Sequence, residues 1–398
     1  MEKLRICHMI PGFFPIAKGG AETFALNLCK NLVIKGHKVQ IITRNLDLQR
    51  EENLQGIKIW RFTNILPYKI KFYGFGRFVK SKYLRILVAF FDFLCTIPTL
   101  WRLHRKNQFH VIHTSFILPF GLSGLIMKKF LRIPLVITVH GPADFYEVPR
   151  LFNPILRFIL KRADTVVAVS LKLKEDLINR LGNLQLKVIR NGIPLRPYES
   201  TGKSVQLDKY KIATDDFMIL TAGRLVRRKN LDILIRAVPA ILEKISNCKI
   251  IVLGSGIEKN KLQMLINRLN LSTSIIMPGW VSEEEKVRLF KRADIFIQLS
   301  QLEGLSLALL ESKAAGIPAI VIGSGSPFDP VSHEETGLLI YPPILLEKIV
   351  HNIEYFYQNV VLRRKIGENV KKEAKNLFSL QKMVENYIKI YQKVLKKK

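Results

Sequence analysis

Short runs of valine, isoleucine and leucine alternate along the chain with longer stretches in which apolar residues recur every three or four positions. A near-continuous apolar run marks a strand buried on both faces, whereas a recurrence of about 3.6 marks one face of a helix. The pattern predicts strands at 4–10, 38–43, 110–114, 135–139, 165–169 and 187–190, with helices between them. It repeats at 217–222, 249–253, 274–277, 294–299, 318–322 and 337–340. Alternation of this kind builds parallel sheets covered by helices on both faces. Between the two series, 194–209 holds two prolines and the polar run Glu199-Ser200-Thr201-Gly202-Lys203-Ser204, which reads as a linker. The expectation is an α/β chain of two Rossmann-like, doubly wound domains facing across an interdomain cleft. They span residues 1–195 and 211–374, joined by a linker at 196–210, and a closing helix over 375–398 packs back towards the first. In such sheets ligands bind beyond the carboxyl ends of the strands.

Composition narrows the class. A chain of 398 residues with 48% hydrophobic and 24% charged residues has the makeup of a folded globular protein. Its 63 Lys and Arg against 32 Asp and Glu give a formal net charge of +31. That balance suits an anionic partner: nucleic acid, an anionic membrane surface or a highly charged substrate. Cys7, Cys29, Cys95 and Cys248 lie far apart with no CxxC pair, which argues against a disulfide framework or zinc knuckle and for a reducing cytosol. Arg5, His8, Pro11 and Gly12 break the apolar run at the N-terminus, so no signal peptide is expected there. The longest apolar stretch, 84–101, contains Arg85, Asp92 and Pro98 and reads as buried or interfacial, not spanning.

The sharpest candidate chemistry is the pair Glu303 and Glu311. Glu303 stands beside Gly304 where a strand ends, and Glu311 lies inside the following helix, over two turns further on. A helix starting near Ser306 aims its free N–H groups at the cleft that Glu303 borders, a place for an anion and hydroxyl groups together. Against this stands the plain reading of two solvated carboxylates around a strand–loop–helix. Upstream, Gly223-Arg224-Leu225-Val226-Arg227-Arg228-Lys229-Asn230 follows the first strand of the second series. A loop there can aim Arg224 and Lys229 at one diphosphate and stabilise it as it leaves; a solvated basic loop is the alternative. Gly19-Gly20-Ala21-Glu22 opens a helix, where glycines let backbone N–H groups approach a phosphate or sugar. His140 ends an apolar strand and precedes Gly141-Pro142, a position suited to sugar hydroxyls or to a purely structural histidine. His113, on the neighbouring strand, is the weaker candidate.

Several signatures are missing. Gly202-Lys203-Ser204 has Pro197 where a P-loop needs its first glycine, and no strand precedes it. DxD, HExxH and GxSxG do not occur, which argues against a DxD metal site, a zinc protease and an α/β-hydrolase. A retaining glycosidase needs two carboxyls about 5 Å apart, which Glu303 and Glu311 do not suit.

In order along the chain, Gly19-Gly20, His140-Gly141, Asn191-Gly192-Ile193, Gly223-Arg224 with Lys229, Leu253-Gly254-Ser255-Gly256 and Glu303–Glu311 resemble the family 4 glycosyltransferases of the GT-B fold, over nearly the whole length. The resemblance implies a retaining, metal-independent hexosyltransferase with a nucleotide-sugar donor and no further cofactor. It implies Arg224 and Lys229 on the diphosphate, Glu311 on the ribose, and Glu303 on the donor sugar. Gly254, Gly304 and the backbone of Leu305 and Ser306 complete the donor site, while Gly19 and Gly20 approach the diphosphate and His140 the sugar. Glu303, His140, Arg224 and Lys229 would carry catalysis, by a front-face route in which the leaving phosphate helps deprotonate the acceptor. The chain departs from the family at Pro194, where Asp commonly stands, and at Ser115, where a second histidine often follows the one matching His113. At 323–330 the Glu of the family's Gly-Gly-x-Pro-Glu stretch is missing.

Residues 67–106 hold nine Lys or Arg against one acid, Asp92, interleaved with ten aromatics. Basic charge near an anionic leaflet contributes roughly 1 kcal/mol per residue, and aromatic rings settle at the headgroup level. The expectation is peripheral docking on the cytoplasmic membrane face through Lys69, Lys71, Arg77, Lys80, Lys82 and Arg85, next to a lipid-linked acceptor. An ordinary helix pair with a solvated basic face is the alternative. The competing functions are a same-fold sugar-nucleotide epimerase or phosphorylase, and a basic nucleic-acid-binding protein. No RRM, KH or zinc-finger signature supports the last, so nucleic acid is not an expected partner.

Overall fold

The apolar runs do become parallel strands. Leu135–Val139 and Val111–Ser115 are buried at every position, as strands covered on both faces require. The computed structural model describes residues 3–46, 48–63, 82–141, 145–199, 208–327 and 329–396. The chain divides into two units, Met1–Gly192 with Leu380–Lys398, and Ile193–Ser379.

In the first unit the strands are β1 (Arg5–Met9), β2 (Lys38–Arg44), β3 (Glu51–Leu54), β4 (Ile57–Phe62), β5 (Val111–Ser115), β6 (Leu135–Val139), β7 (Thr165–Ala168) and β8 (Leu186–Val188). They join in the order β3-β4-β2-β1-β5-β6-β7-β8. All neighbours are parallel except β3 and β4, an antiparallel hairpin turning at Gln55 and Gly56, both at positive φ. The pattern above does not predict this hairpin. β3 is an edge strand with no fully buried residue, so it has no apolar run to read. The helices are α1 (Gly20–Ile34), α2 (Lys82–Asn107), α3 (Leu122–Leu131), α4 (Asn153–Arg162) and α5 (Leu171–Leu181). The 84–101 stretch lies within α2, and among the described residues no helix is long and apolar enough to cross a membrane. Asp92 points inward from α2, fully buried, and pairs with the equally buried Arg44 of β2.

The second unit carries β9 (Phe217–Ala222), β10 (Cys248–Leu253), β11 (Ile275–Gly279), β12 (Ile295–Gln298), β13 (Ala319–Ile322) and β14 (Gly337–Ile340). Their order, β11-β10-β9-β12-β13-β14, is parallel throughout. Around it lie α6 (Leu231–Lys244), α7 (Lys259–Arg268), α8 (Glu283–Arg292), α9 (Leu307–Ala315), α10 (Leu346–Gln358) and α11 (Val360–Leu377). The last helix, α12 (Leu380–Leu395), returns to the first unit. There Met383, Val384, Tyr387, Ile388 and Tyr391 share one core with Phe24, Leu28 and Leu32 of α1.

Among the parallel strands, chain order reverses once in each sheet, between β1 and β5 in the first and between β9 and β12 in the second. At such a switch point the flanking loops leave in opposite directions and open a crevice at the strands' carboxyl ends. Those two places hold the residues of interest.

Candidate functional site

In the second unit, a pocket at the ends of β9 and β12 is lined by Thr221, Gly223, Arg224, Lys229, Gln298 and Ser300, among others. The loop from Gly223 to Asn230 is tightly fixed. Gly223 N–H donates to Leu253 O and Leu225 N–H to Ser255 O, both at 3.0 Å. At its far end Asn230, left-handed at φ 51°, donates its side-chain amide to Leu299 O at 2.8 Å. Gly254 has φ +121°, and a Cβ there would stand 1.9 Å from Gly223 O. Only a glycine permits that crossing. Gly254 N–H is used by Gly279 O at 2.9 Å, so the residue acts here by letting the basic loop lie against β10's exit.

Glu303 faces this loop and accepts from Lys229 Nζ at 2.5 Å and Arg228 Nη1 at 3.0 Å. Burial pushes its carboxyl up, but Lys229 and Arg228 outweigh that and hold it below the usual carboxylate value. Burial pulls the Lys229 ammonium down, and repulsion from Arg228 and Arg224 adds to this. Arg224 forms no side-chain hydrogen bond or ion pair among the described residues. Two cations therefore share a single carboxylate, and Arg224, the third, lines the same pocket. Arg228 belongs to the basic run but is not among the candidates drawn from the sequence. Only the fold shows that it, and not Arg224, shares Glu303 with Lys229.

Past buried Gly304 and half-buried Leu305, Ser306 caps α9, its Oγ accepting from Leu309 N at 3.4 Å. This matches a helix starting near Ser306, and it presents the first-turn N–H groups of α9 beside the Glu303 loop. Glu311, in the second turn, accepts from Lys286 Nζ of α8 at 2.7 Å, and burial pushes its carboxyl above the ordinary value. The helix itself is clamped from behind. Lys313, whose side chain is buried, donates to Pro330 O at 2.7 Å and to Glu373 Oε2 at 2.5 Å. At its end Gly316 is left-handed and abuts Gly367, where a Cβ would meet Gly316 O at 2.4 Å.

In the first unit, Gly19 and Gly20 begin α1, and a Cβ on Gly20 would meet nothing within 4 Å. Neither glycine is demanded by a left-handed φ. His140 follows β6 and its Nε2 lies 3.2 Å from Ser115 Oγ. Its ring packs edge-on against Phe24 of α1. Burial, reinforced by the neighbouring His8, pulls His140 down to about 3, so it is neutral near pH 7. His113 is buried too, with Nε2 at 2.8 Å from Thr138 Oγ1 and Nδ1 at 2.8 Å from Tyr391 Oη. Both its ring nitrogens are committed inside the core. His8 and the α12 tyrosines had no motif to mark them; parallel register brings His8 and Ser115 beside His140, and the packing of α12 sets Tyr387 and Tyr391 against His113.

Lys69, Lys71, Arg77 and Lys80 lie outside the described residues, and for Lys82 and Arg85 only the helical backbone is described. Among the described residues no group of three or more His, Cys, Asp or Glu is placed to hold a metal ion.

Two doubly wound sheets, one with a cation-lined pocket at its switch point beside a capped helix, form an architecture suited to an anionic ligand. The comparisons make that specific. Residues 18–196 match the model "Glycosyltransferase Family 4" and residues 203–373 match "Glycosyl transferases group 1". An uncharacterised glycosyltransferase of Methanocaldococcus jannaschii is 26% identical over 397 residues, covering 95% of each chain. Alpha-monoglucosyldiacylglycerol synthase of Streptococcus pneumoniae is 26% identical over 355 residues, 85% of this chain and 75% of that one. Among solved structures, Anabaena HepE in complex with UDP-glucose superposes with a TM-score of 0.78 at 17% identity, covering 98% of this chain and 100% of the other. The chain belongs to the family 4 glycosyltransferases and has the GT-B fold.

Proposed function

We propose that this glycosyltransferase moves a hexosyl group from a nucleoside-diphosphate sugar to a lipid-linked acceptor or growing glycan, with retention and without a metal. The observation that carries the donor assignment is the excess of cations over carboxylates at the β9–β12 switch point. Arg228 and Lys229 pair with one half-buried glutamate, Arg224 lines the same pocket, and a diphosphate supplies the negative charge that this cluster lacks. As the bond to the anomeric carbon breaks, charge grows on the departing phosphate. Arg224, Lys229 and the α9 N-terminus stabilise it without reorganising. Glu303, displaced from its cations by the diphosphate, turns to the donor sugar, and Glu311 takes the ribose hydroxyls in place of Lys286. On the acceptor-binding unit, His140 serves the sugar and the Gly19–Gly20 backbone the diphosphate. The HepE complex with UDP-glucose supports a nucleotide-sugar donor as a class.

The acceptor reading places the first unit on the cytoplasmic face of an anionic membrane. Leu87, Phe90, Leu94 and Trp101 form an exposed apolar stripe on α2, at spacings that share one helix face. Arg105 stacks over Trp101 at 5.0 Å, and the helix's one acid, Asp92, is turned inward. An outward face of rings and cations suits an anionic headgroup layer. The pneumococcal relative, named for a diacylglycerol product, supports a lipid acceptor.

A screen of UDP-, GDP- and ADP-sugars, with and without EDTA, tests the donor and the metal together. At least one should raise the melting temperature and be turned over equally in both conditions. Absence of binding by all three classes would overturn the donor assignment, and loss of turnover in EDTA the metal independence.

A further inference from the structure

We infer that α4 carries a second membrane contact, in which the stripe of Leu151, Ile155 and Phe158, flanked by exposed cations, enters the same anionic leaflet as α2. The inference rests on the membrane reading of the first unit. It adds a separate point of insertion and, with it, the direction in which that unit faces the lipid.

Topology sets the two helices on one side of the sheet. The chain steps from β4 to β5, from β5 to β6 and from β6 to β7 in one direction, through α2, α3 and α4 in turn. Parallel crossovers are right-handed, so steps in one direction lay their helices on one face. The step from β1 to β2 runs the other way, and its helix α1 covers the opposite face together with α12. Lys128 of α3 ties the neighbouring helix ends together, donating to Arg162 O at 2.8 Å and pairing with Asp164 at 2.9 Å.

Within α4 the residues sort by face. Leu156, Ile159 and Leu160 are buried. Leu151, in the turn before the helix, and Ile155, Phe158 and Arg162 recur at helical spacing on another side, and all four are exposed. Leu151 is 84% exposed, more than any other large apolar side chain among the described residues, and Phe130 at the end of α3 is 74% exposed. Apolar groups this far out of the core gain by leaving water for an apolar phase.

Charge decides which phase that is. Residues 148–163 hold Arg150, Arg157, Lys161 and Arg162, all exposed, and no acid. Of the acids that flank this run, Glu147 and Asp164, the second is engaged by Lys128. Arg162 lies over the Phe158 ring at 4.1 Å, the same pairing of cation and ring that Arg105 and Trp101 make on α2. A second copy of this face would bring like charges together. An anionic headgroup layer neutralises them, and leaves the ring and the aliphatic side chains in the acyl boundary below. Two stripes on one helical layer place that layer against the leaflet, with α1 and α12 on the side away from it.

Vesicles of phosphatidylglycerol and phosphatidylcholine at low salt test this with the full-length protein. Leu151→Ser combined with Phe158→Ser should lower vesicle affinity about tenfold or more, the scale of two apolar side chains kept in water, with sugar-nucleotide hydrolysis unchanged. A nitrobenzoxadiazole label on Leu151→Cys reads the contact itself. It is made in a Cys95→Ser background, where the other three cysteines are buried. Its emission should brighten and shift to the blue with these vesicles, and stay unchanged with phosphatidylcholine alone. Wild-type affinity in the double variant, or a label that does not respond while the protein floats, overturns the α4 contact and leaves the membrane reading through α2 standing. Failure of the wild type itself to float removes both. Loss of self-association in the double variant, with flotation intact, would make this face an interface between copies and also overturn the inference.

Discussion

Glu303 and Glu311 look alike in the sequence and are held in opposite electrostatic states. Cations pull the Glu303 carboxyl down past its burial, while burial prevails at Glu311 and pushes it up. The difference argues for different work. On the proposed donor reading, Glu303 neutralises the basic loop until a donor arrives, whereas Glu311 exchanges its ion pair with Lys286 for neutral hydroxyls. Glu303→Ala should lower kcat by about a hundredfold, the scale of one lost electrostatic contact in a transition state, with a small change in KM. Glu311→Ala should raise the donor KM roughly tenfold, as expected for a lost charged hydrogen bond, with kcat near wild type. Steady-state kinetics on the donor distinguish them; the reversed pattern would return the pair to an acid–base role.

The elements matter through how they cross. Gly254 and Gly223 touch where the exits of β9 and β10 meet, and that contact sets the height of the basic loop. Gly254→Ala should cost about 2–4 kcal/mol, because the added methyl meets backbone at a left-handed φ and not a movable side chain. Donor binding should fall with it. A melting curve and a donor titration together check this, and an unchanged melting temperature would show that the crossing relaxes freely. Element type was legible from the chain wherever burial was two-sided: β6, β9 and β14 lie where the apolar runs place them. It was not legible for β3, whose polar alternation at a sheet edge resembles any loop. The capped start of α9 was readable because Ser306 is a good N-cap just before an apolar helical run. Its clamp through Lys313 was not, since a lysine in a helix reads as solvated until its side chain is found buried against Glu373.

For the molecule as a whole, the excess of positive charge and the α2 stripe bear on where the enzyme works. Protein mixed with vesicles rich in an anionic lipid should float with them at low salt and be released as salt rises, since surface attraction is screened within about a Debye length. Replacing Phe90 and Trp101 by Ser should weaken flotation without changing hydrolysis of a soluble donor. Failure to bind anionic vesicles at low salt would end the membrane proposal.

By itself, the sequence determined the two α/β series, the positions of the basic loop and the paired glutamates, and the family they resemble. Each of these is written in local order, as runs, caps and spacings. The tertiary structure decided which charges meet: Arg228 with Glu303, Lys286 with Glu311, and Ser115 between His8 and His140. Those partners lie 75, 25 and up to 107 positions apart. Strand register and helix crossing bring them together, and no local pattern along the chain encodes either one.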